Sequence, residues 1–221
     1  MAQNKWDYLT SLGQKGSRIT KEEVRNIIEV LPTQFKRHLV DNGVSQKKTT
    51  ALSTKFRDAG RRSAPYAAFS KKVPGRPQDG ADGNRINRWL LPKKHKYYAD
   101  EMTATLVEIK YFLQTLSMLR APEVENSHFQ KAFEWLTGHI VKPGNYLDPI
   151  TLLPVDFQDF LANPRQITSG HLFPLDRGGK HEPGNTFLMT RESNMLQGNN
   201  TLPELLKMIE GISERHKFFK L

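Results

Sequence analysis

Residues 169–174 read Ser-Gly-His-Leu-Phe-Pro, and behind them come Gly178-Gly179, His181, Asn185 and Asn194. Hydrolysis of a phosphodiester requires a base that activates water and a hard cation that stabilises charge on the phosphate and the leaving oxygen. A histidine and an asparagine carbonyl oxygen can supply both functions if a short hairpin and a helix bring them together. The stretch from His171 to Asn194 is therefore the candidate site of the chain.

The pattern around the histidine predicts a strand, a loop, a second strand and a helix. Residues 165–172 alternate weakly and predict a strand that ends at His171. Residues 175–184 carry glycine and proline at turn positions and predict a loop that turns back sharply. Residues 185–190 predict a second short strand, and the helix after it is expected to place Asn194 opposite the histidine strand.

This arrangement resembles the HNH, or ββα-metal, nuclease family. The family pattern has an acidic residue and a histidine, a proline three residues later, a glycine pair, an asparagine, and nine residues further on a second asparagine or histidine. His171, Pro174, the glycine pair, Asn185 and Asn194 match it in order and spacing, within residues 165–200. The resemblance implies that His171 is the general base, that Asn194 binds Mg²⁺ or Mn²⁺, and that Asn185 bonds across the loop to hold the histidine strand.

The sequence departs from the family pattern at Gly170, where the family has an acidic metal ligand. Mg²⁺ often keeps several waters and needs few protein oxygens, so Asn194 could be its one ligand. A Gly-His pair with a single asparagine ligand is similar to the non-specific DNA/RNA endonuclease branch of the same superfold. Alternatively, Asp176, Gln197 or Asn199 replaces the missing carboxylate, or the centre is inactive.

The composition favours a polyanionic partner. The chain of 221 residues has a formal net charge of +10 and a pI near 9.7, which suits phosphate contacts and counterion release; a solubilising surface charge is the alternative. The absence of cysteine excludes disulfides, thiolate zinc sites and cysteine nucleophiles. It also removes the zinc knuckle that surrounds this motif in many relatives, so the module must be stabilised by the packing of its side chains.

Basic residues are concentrated between positions 61 and 98, where aromatic residues and turn signals are interleaved. Such a segment suits a nucleic-acid backbone or groove, and a solvated linker is the alternative. Within it we expect phosphate contacts from Arg61, Arg62, Lys71, Lys72, Arg76, Arg85, Arg88, Lys93, Lys94 and Lys96. Nearer the motif the same role is expected of Arg177, Lys180, His181 and Arg191, with a solvated rim as the alternative. For His181 a structural role is equally open, and a metal-ligand role is the alternative to both.

The fold class predicted is α+β, with a mainly helical N-terminal region, a small ββα-metal nuclease module and a C-terminal helix. Helices are expected over 18–42, with a capping box and a break at Pro32, and over 46–58, 100–120, 124–140 and 202–219. The expected divisions are 1–60, a helical and candidate helix-turn-helix-like DNA-binding region; 61–98, a basic loop or arm; 99–144, a helical core pair; and 145–221, the nuclease domain.

The function expected from these observations is metal-dependent cleavage of double-stranded DNA, most simply by a type II restriction endonuclease. One centre per chain would cut both strands in a homodimer. A homing or phage HNH endonuclease, a catalytically inactive DNA-binding module on the same fold, and a protein that acts on RNA are the alternatives. The polar residues 1–6 and the lack of a long apolar run predict a cytoplasmic protein without a membrane segment.

Overall fold

The computed structural model of the protein describes residues 11, 15, 19–63, 85–124, 133–134 and 136–216. Its helices are α1 (Lys21–Asp41), α2 (Gln46–Gly60), α3 (Glu101–Leu116), α4 (Phe157–Ala162), α5 (Arg191–Gln197) and α6 (Leu202–His216). Within the described residues, two antiparallel sheets pair β1 (Arg62–Ser63) with β2 (Ile86–Asn87) and β3 (Ile167–His171) with β4 (Thr186–Thr190). This mixture of helices and small sheets makes the chain α+β.

Helix α1 begins at the predicted capping box, in which Thr20 and Glu23 satisfy each other's backbone N–H groups. The predicted break at Pro32 is wrong, because the helix continues without interruption to Asp41. A proline in a helix interior costs about 3 kcal/mol. Leu31 and Phe35 lie on either side of it and are fully buried, and burial of each such side chain contributes roughly 1.5–3 kcal/mol, which offsets the cost.

Helix α3 lies at the centre of the molecule and packs against α1, α2 and β4. The ring of Phe112 on α3 lies edge-on to Phe35 of α1 and Phe56 of α2, with ring centroids 4.9 and 5.0 Å apart. The helix ends at Leu116, earlier than predicted, because the next residues pair with other segments. The Leu119 N–H donates to the Val155 carbonyl at 2.9 Å instead of to a carbonyl of the helix, so the helix does not continue to residue 120.

The β3–β4 hairpin packs on α3 through its backbone. The side-chain oxygen of Gln114 accepts a hydrogen bond from the Leu188 N–H at 2.9 Å, and the Tyr146 hydroxyl donates to the Leu188 carbonyl. Thr190 then caps α5 by accepting from the Ser193 N–H at 3.0 Å. The hairpin and α5 are thus fixed to each other and to the helical core, which is one cluster of buried residues running from Ile19 to Leu188.

Three other expectations fall partly or wholly on residues that the structure does not describe. Of the helix expected over 124–140, the described part includes helical residues at 133–134 and 136–137. The C-terminal helix is present as α6, and the division of the chain into four regions stays a prediction. No helix in the described ranges has the length and apolar character needed to span a membrane.

Candidate active site

The loop between β3 and β4 is closed by the side chain of Asn185. Its Oδ1 accepts from the Phe173 N–H at 2.7 Å, and its Nδ2 donates to the carbonyls of Phe173 and Lys180, each at 2.9 Å. Three backbone groups of the loop are therefore satisfied by one buried amide. This bonding holds the residues that follow His171 against the start of β4.

The glycine pair is required by the same turn. Gly178 has φ of +91°, a conformation that other residues adopt only with strain. At Gly179 a Cβ would lie 2.0 Å from the Phe173 carbonyl oxygen, so no larger residue fits without moving the backbone. The two glycines thus allow the chain to return tightly beneath the end of β3.

His171, at the end of β3, is joined to the helical region through His181. The Nε2 of His171 lies 3.1 Å from Nδ1 of His181, and the Nε2 of His181 lies 2.8 Å from the carbonyl oxygen of Gly60 at the end of α2. His181 is 2% exposed and His171 is half-buried. The loop histidine is thus a buried link, which differs from the expected contact of its side chain with phosphate.

Burial also determines the charge of the two imidazoles. Desolvation, reinforced by the positive charge of Arg88, lowers the pKa of His171 to about 4 and that of His181 well below its usual value. Both rings are therefore neutral near pH 7. A neutral imidazole has one nitrogen with a free lone pair, which is the requirement for a general base.

Asn194, on α5, lies against the other face of β3. Its Nδ2 donates to the Thr168 hydroxyl at 3.1 Å, and its Oδ1 would lie 3.2 Å from a Cβ at Gly170. No side chain or backbone donor from the described residues reaches that oxygen. The amide is thus held by its nitrogen while its oxygen stays available beside the strand.

The side chains of His171 and Asn194 are not in contact. Successive residues of a strand point to opposite faces, so Thr168 and Gly170 share the face that α5 covers, and His171 lies on the other. The structure therefore brings the two groups to the same strand from opposite sides.

The alternative metal ligands are placed less favourably than Asn194. Gln197 is 1% exposed and donates to the carbonyls of His171 and Leu172 at 3.0 and 2.9 Å. Asp176 pairs with Lys96, and Asn199 is exposed with no contact that connects it to β3. Across the described residues, no group of three His, Asp or Glu side chains could hold a metal. One amide oxygen, completed by waters and phosphate oxygens, still fits Mg²⁺.

Arg88 does not have the exposed position expected of a phosphate contact. It is 7% exposed, and its guanidinium donates to the carbonyls of Gly60, Tyr97 and Ala59 at 2.9, 3.2 and 3.2 Å. Desolvation lowers its pKa to about 10, so it remains charged. The expectation for Arg88 is corrected accordingly: it stabilises the end of α2 and lies close to the two histidines.

The other basic residues are distributed over several environments. Arg61 pairs with buried Glu108, Arg62 with Asp58, and Arg177 with Glu204. Arg85 donates to the Asp58 carbonyl, and Arg191 is exposed. The expected contacts Lys71, Lys72 and Arg76 lie outside the described residues. A cleft of about 600 Å³ beside the glycine turn is lined by Lys93, Lys94, Lys96, Lys180 and His181, among others.

Two residues of the site have no signal in the motif. Gly60 contributes the carbonyl that binds His181 although it lies 121 positions earlier in the chain. Thr168 anchors Asn194, yet in sequence it is one polar residue of an ordinary strand. Only the tertiary fold connects Gly60 to the hairpin, whereas the alternation of a strand places Thr168 on the same face of β3 as Gly170.

Comparison with known proteins gives a structural similarity and no match in sequence. No protein-family profile matches the chain, and no characterised protein matches it in sequence. A solved structure described as a type II restriction endonuclease matches with a TM-score of 0.53 and 20% identity, over 78% of this chain and 80% of that one. This similarity shows a shared fold.

Proposed function

We propose that the protein is an HNH-type, metal-dependent DNA endonuclease, and more specifically a type II restriction endonuclease. The observation that carries the proposal is that the available Asn194 oxygen lies beside Gly170, the residue directly before neutral His171 at the end of β3. The fold shared with a type II restriction endonuclease supports the same assignment.

In this proposal His171 acts as the general base. Its Nε2 faces His181, so Nδ1 is the atom that receives a proton from the attacking water. The water oxygen forms a bond to phosphorus while the bond from phosphorus to the leaving oxygen breaks, and the leaving oxygen takes a proton from solvent. In-line displacement places the attacking and leaving oxygens on opposite sides of phosphorus, so the phosphate would lie between the base and the group that stabilises the leaving oxygen.

Asn194 would hold the metal through Oδ1, with Thr168 fixing the amide so that the oxygen keeps its direction. The bound Mg²⁺ or Mn²⁺ would supply electrostatic stabilisation of the phosphate and the leaving oxygen. Asn185 would keep the residues after His171 in place through its three backbone bonds. The lysines of the cleft would contact the phosphates of double-stranded DNA.

A chain with one such centre would cut both strands as a homodimer, one centre per strand. A homing or phage HNH endonuclease shares all of this chemistry, and a palindromic cleavage site would favour the restriction enzyme over it. An inactive DNA-binding module on the same fold is the alternative from another class, and Gly170 is the residue that favours it. Competition between duplex DNA and RNA tests a role on RNA.

The test is cleavage of a defined plasmid in Mg²⁺ or Mn²⁺ by the wild type and by His171→Ala, with exposed His216→Ala as a matched control. We expect nicked and linear products from the wild type and the control, and at least a hundred-fold slower cleavage by His171→Ala, since general-base catalysis contributes about 10²–10⁴-fold. Equal inactivity of all three proteins with retained DNA binding would favour the binding module. Equal activity of all three would remove His171 from the mechanism.

A further inference from the structure

We propose that His181 is a positioning residue, which fixes the tautomer and the orientation of His171 by linking it to the carbonyl of Gly60 at the end of α2. This role rests on the proposed function, in which His171 is the base. His181 itself is 2% exposed and does not receive the proton in this role. The orientation of the base is therefore determined by the helical region as well as by the hairpin.

The direction of the hydrogen bonds follows from the chemistry of the last group. A carbonyl oxygen only accepts, so the Nε2 of His181 must carry the proton it donates to Gly60. Neutral His181 then has a lone pair on Nδ1, which can only accept from the Nε2–H of His171. The remaining nitrogen of His171, Nδ1, has the free lone pair. One carbonyl thus determines which atom of the base takes the proton.

The position of the Gly60 carbonyl is itself well fixed. It belongs to the last turn of α2, where carbonyls have no partner within the helix and carry the negative end of the helix dipole. The same oxygen accepts from Nε of Arg88 at 2.9 Å. A Cβ at position 60 would lie 2.6 Å from the Cβ of Glu108, so the close approach of α2 to α3 depends on glycine.

Arg88 opposes the other outcome, protonation of the pair. A second proton on either imidazole would place a positive charge beside a buried guanidinium, and coulombic repulsion from Arg88 acts on both rings. The pair therefore stays neutral, and the link keeps a single direction from His171 to Gly60.

The direct measurement is ¹⁵N NMR on histidine-labelled wild type, which distinguishes the protonated from the bare ring nitrogen. We expect protonated Nε2 and bare Nδ1 for both His171 and His181, at any pH between 6 and 8. A His171 that carries its proton on Nδ1 would overturn the proposal. This readout does not depend on cleavage, so it remains valid if the protein proves not to be a nuclease.

The functional test compares His181→Gln with His181→Leu. A glutamine amide can donate to Gly60 and accept from His171, whereas leucine can do neither. We expect His181→Leu to lower kcat by about 10–100-fold, the range for residues that orient a reacting group, with little change in KM or in DNA affinity. His181→Gln should recover most of the loss and should keep the wild-type tautomer of His171.

The control is His216→Leu, which should cleave like the wild type, and circular dichroism checks that each variant folds. If the wild type cuts and His171→Ala does not, but His181→Leu cuts at the wild-type rate, the positioning role is wrong and the proposed function stands. If folded His181→Gln and His181→Leu lose kcat equally, the hydrogen bonds from His171 through His181 to Gly60 do not position the base, and this outcome too would contradict the proposal.

Discussion

The thioether of Met189 fills the space in which any side chain at position 170 would begin. A Cβ at Gly170 would lie 2.4 Å from Met189 Sδ and 3.2 Å from Oδ1 of Asn194. Met189 is completely buried, so it cannot move aside into solvent. The glycine where the resembled family has an acidic ligand is therefore coupled to a core residue on the neighbouring strand, and the two positions should change together.

This coupling predicts the behaviour of Gly170→Asp. Alone, the aspartate forces Met189 out of place, and such overpacking costs about 1–3 kcal/mol of unfolding free energy. Combined with Met189→Ala, the carboxylate gains room, so the double variant should be more stable than the sum of the single changes predicts. It should also bind Mn²⁺ more tightly than the wild type, because a carboxylate now lies beside Asn194.

Urea unfolding of the four proteins gives the coupling free energy, and isothermal titration gives the affinity for Mn²⁺. Strictly additive losses of stability would contradict the steric account. An unchanged affinity for Mn²⁺ in the folded double variant would place the metal elsewhere.

Asn194→Ala should abolish cleavage and leave DNA affinity near normal, because Asn194 is the one residue proposed to bind the metal through its side chain. Asn194→Asp keeps an oxygen at the same place and should retain part of the activity. Asn199→Ala is the matched control, since Asn199 is an exposed asparagine two positions beyond α5. Rates of plasmid nicking and a gel-shift assay provide both measurements. Cleavage that survives in Asn194→Ala, or that is lost in Asn199→Ala, would contradict the metal assignment.

The local elements of the site could be predicted because their signals are local. The glycine turn, the strands and the helix after Thr190 each follow from residues within a few positions of one another. Burial could not be predicted in the same way. The helix continues through Pro32 because Leu31 and Phe35 pack against other helices. Arg88 is buried, unlike the neighbouring lysines, because its guanidinium donates to the carbonyls of Gly60 and Ala59 in α2 and of Tyr97.

The low pKa of His171 predicts how stability and cleavage depend on pH. Its pKa is about 4 in the folded protein, against 6.5 for an unperturbed histidine. The unfolded chain therefore binds a proton that the folded protein excludes, and this contribution to stability, complete above pH 6.5, is lost as the pH falls towards 4. Because one pKa unit corresponds to about 1.4 kcal/mol, the wild type should lose about 2 kcal/mol relative to His171→Gln between pH 7 and 5.

The difference between the two proteins isolates His171 from other groups that titrate in this range, such as Glu108, whose pKa burial raises to about 7. Urea unfolding at both pH values measures it. Since the base stays neutral, kcat/KM should have no inflection at pH 6.5. An inflection of kcat/KM at pH 6.5 would contradict the prediction if NMR shows that no other histidine titrates at that pH. His171 would then titrate with the pKa of an unperturbed histidine.

The lysines of the cleft should carry the salt dependence of DNA binding, in place of the buried Arg88. Each phosphate contact contributes about 0.9 to the slope of log K against log salt. Lys93→Ala with Lys94→Ala should therefore reduce the slope by about 1.8 if each lysine contacts one phosphate.

The control changes the same charge at Lys47 and Lys48, which are exposed in the first turn of α2. That turn lies about 20 Å from Gly60, since a helix rises about 1.5 Å per residue, and its variant should keep the wild-type slope. Equal slopes for all three proteins would remove the cleft from the DNA path, whereas an equal reduction in both variants would mean that only net charge matters.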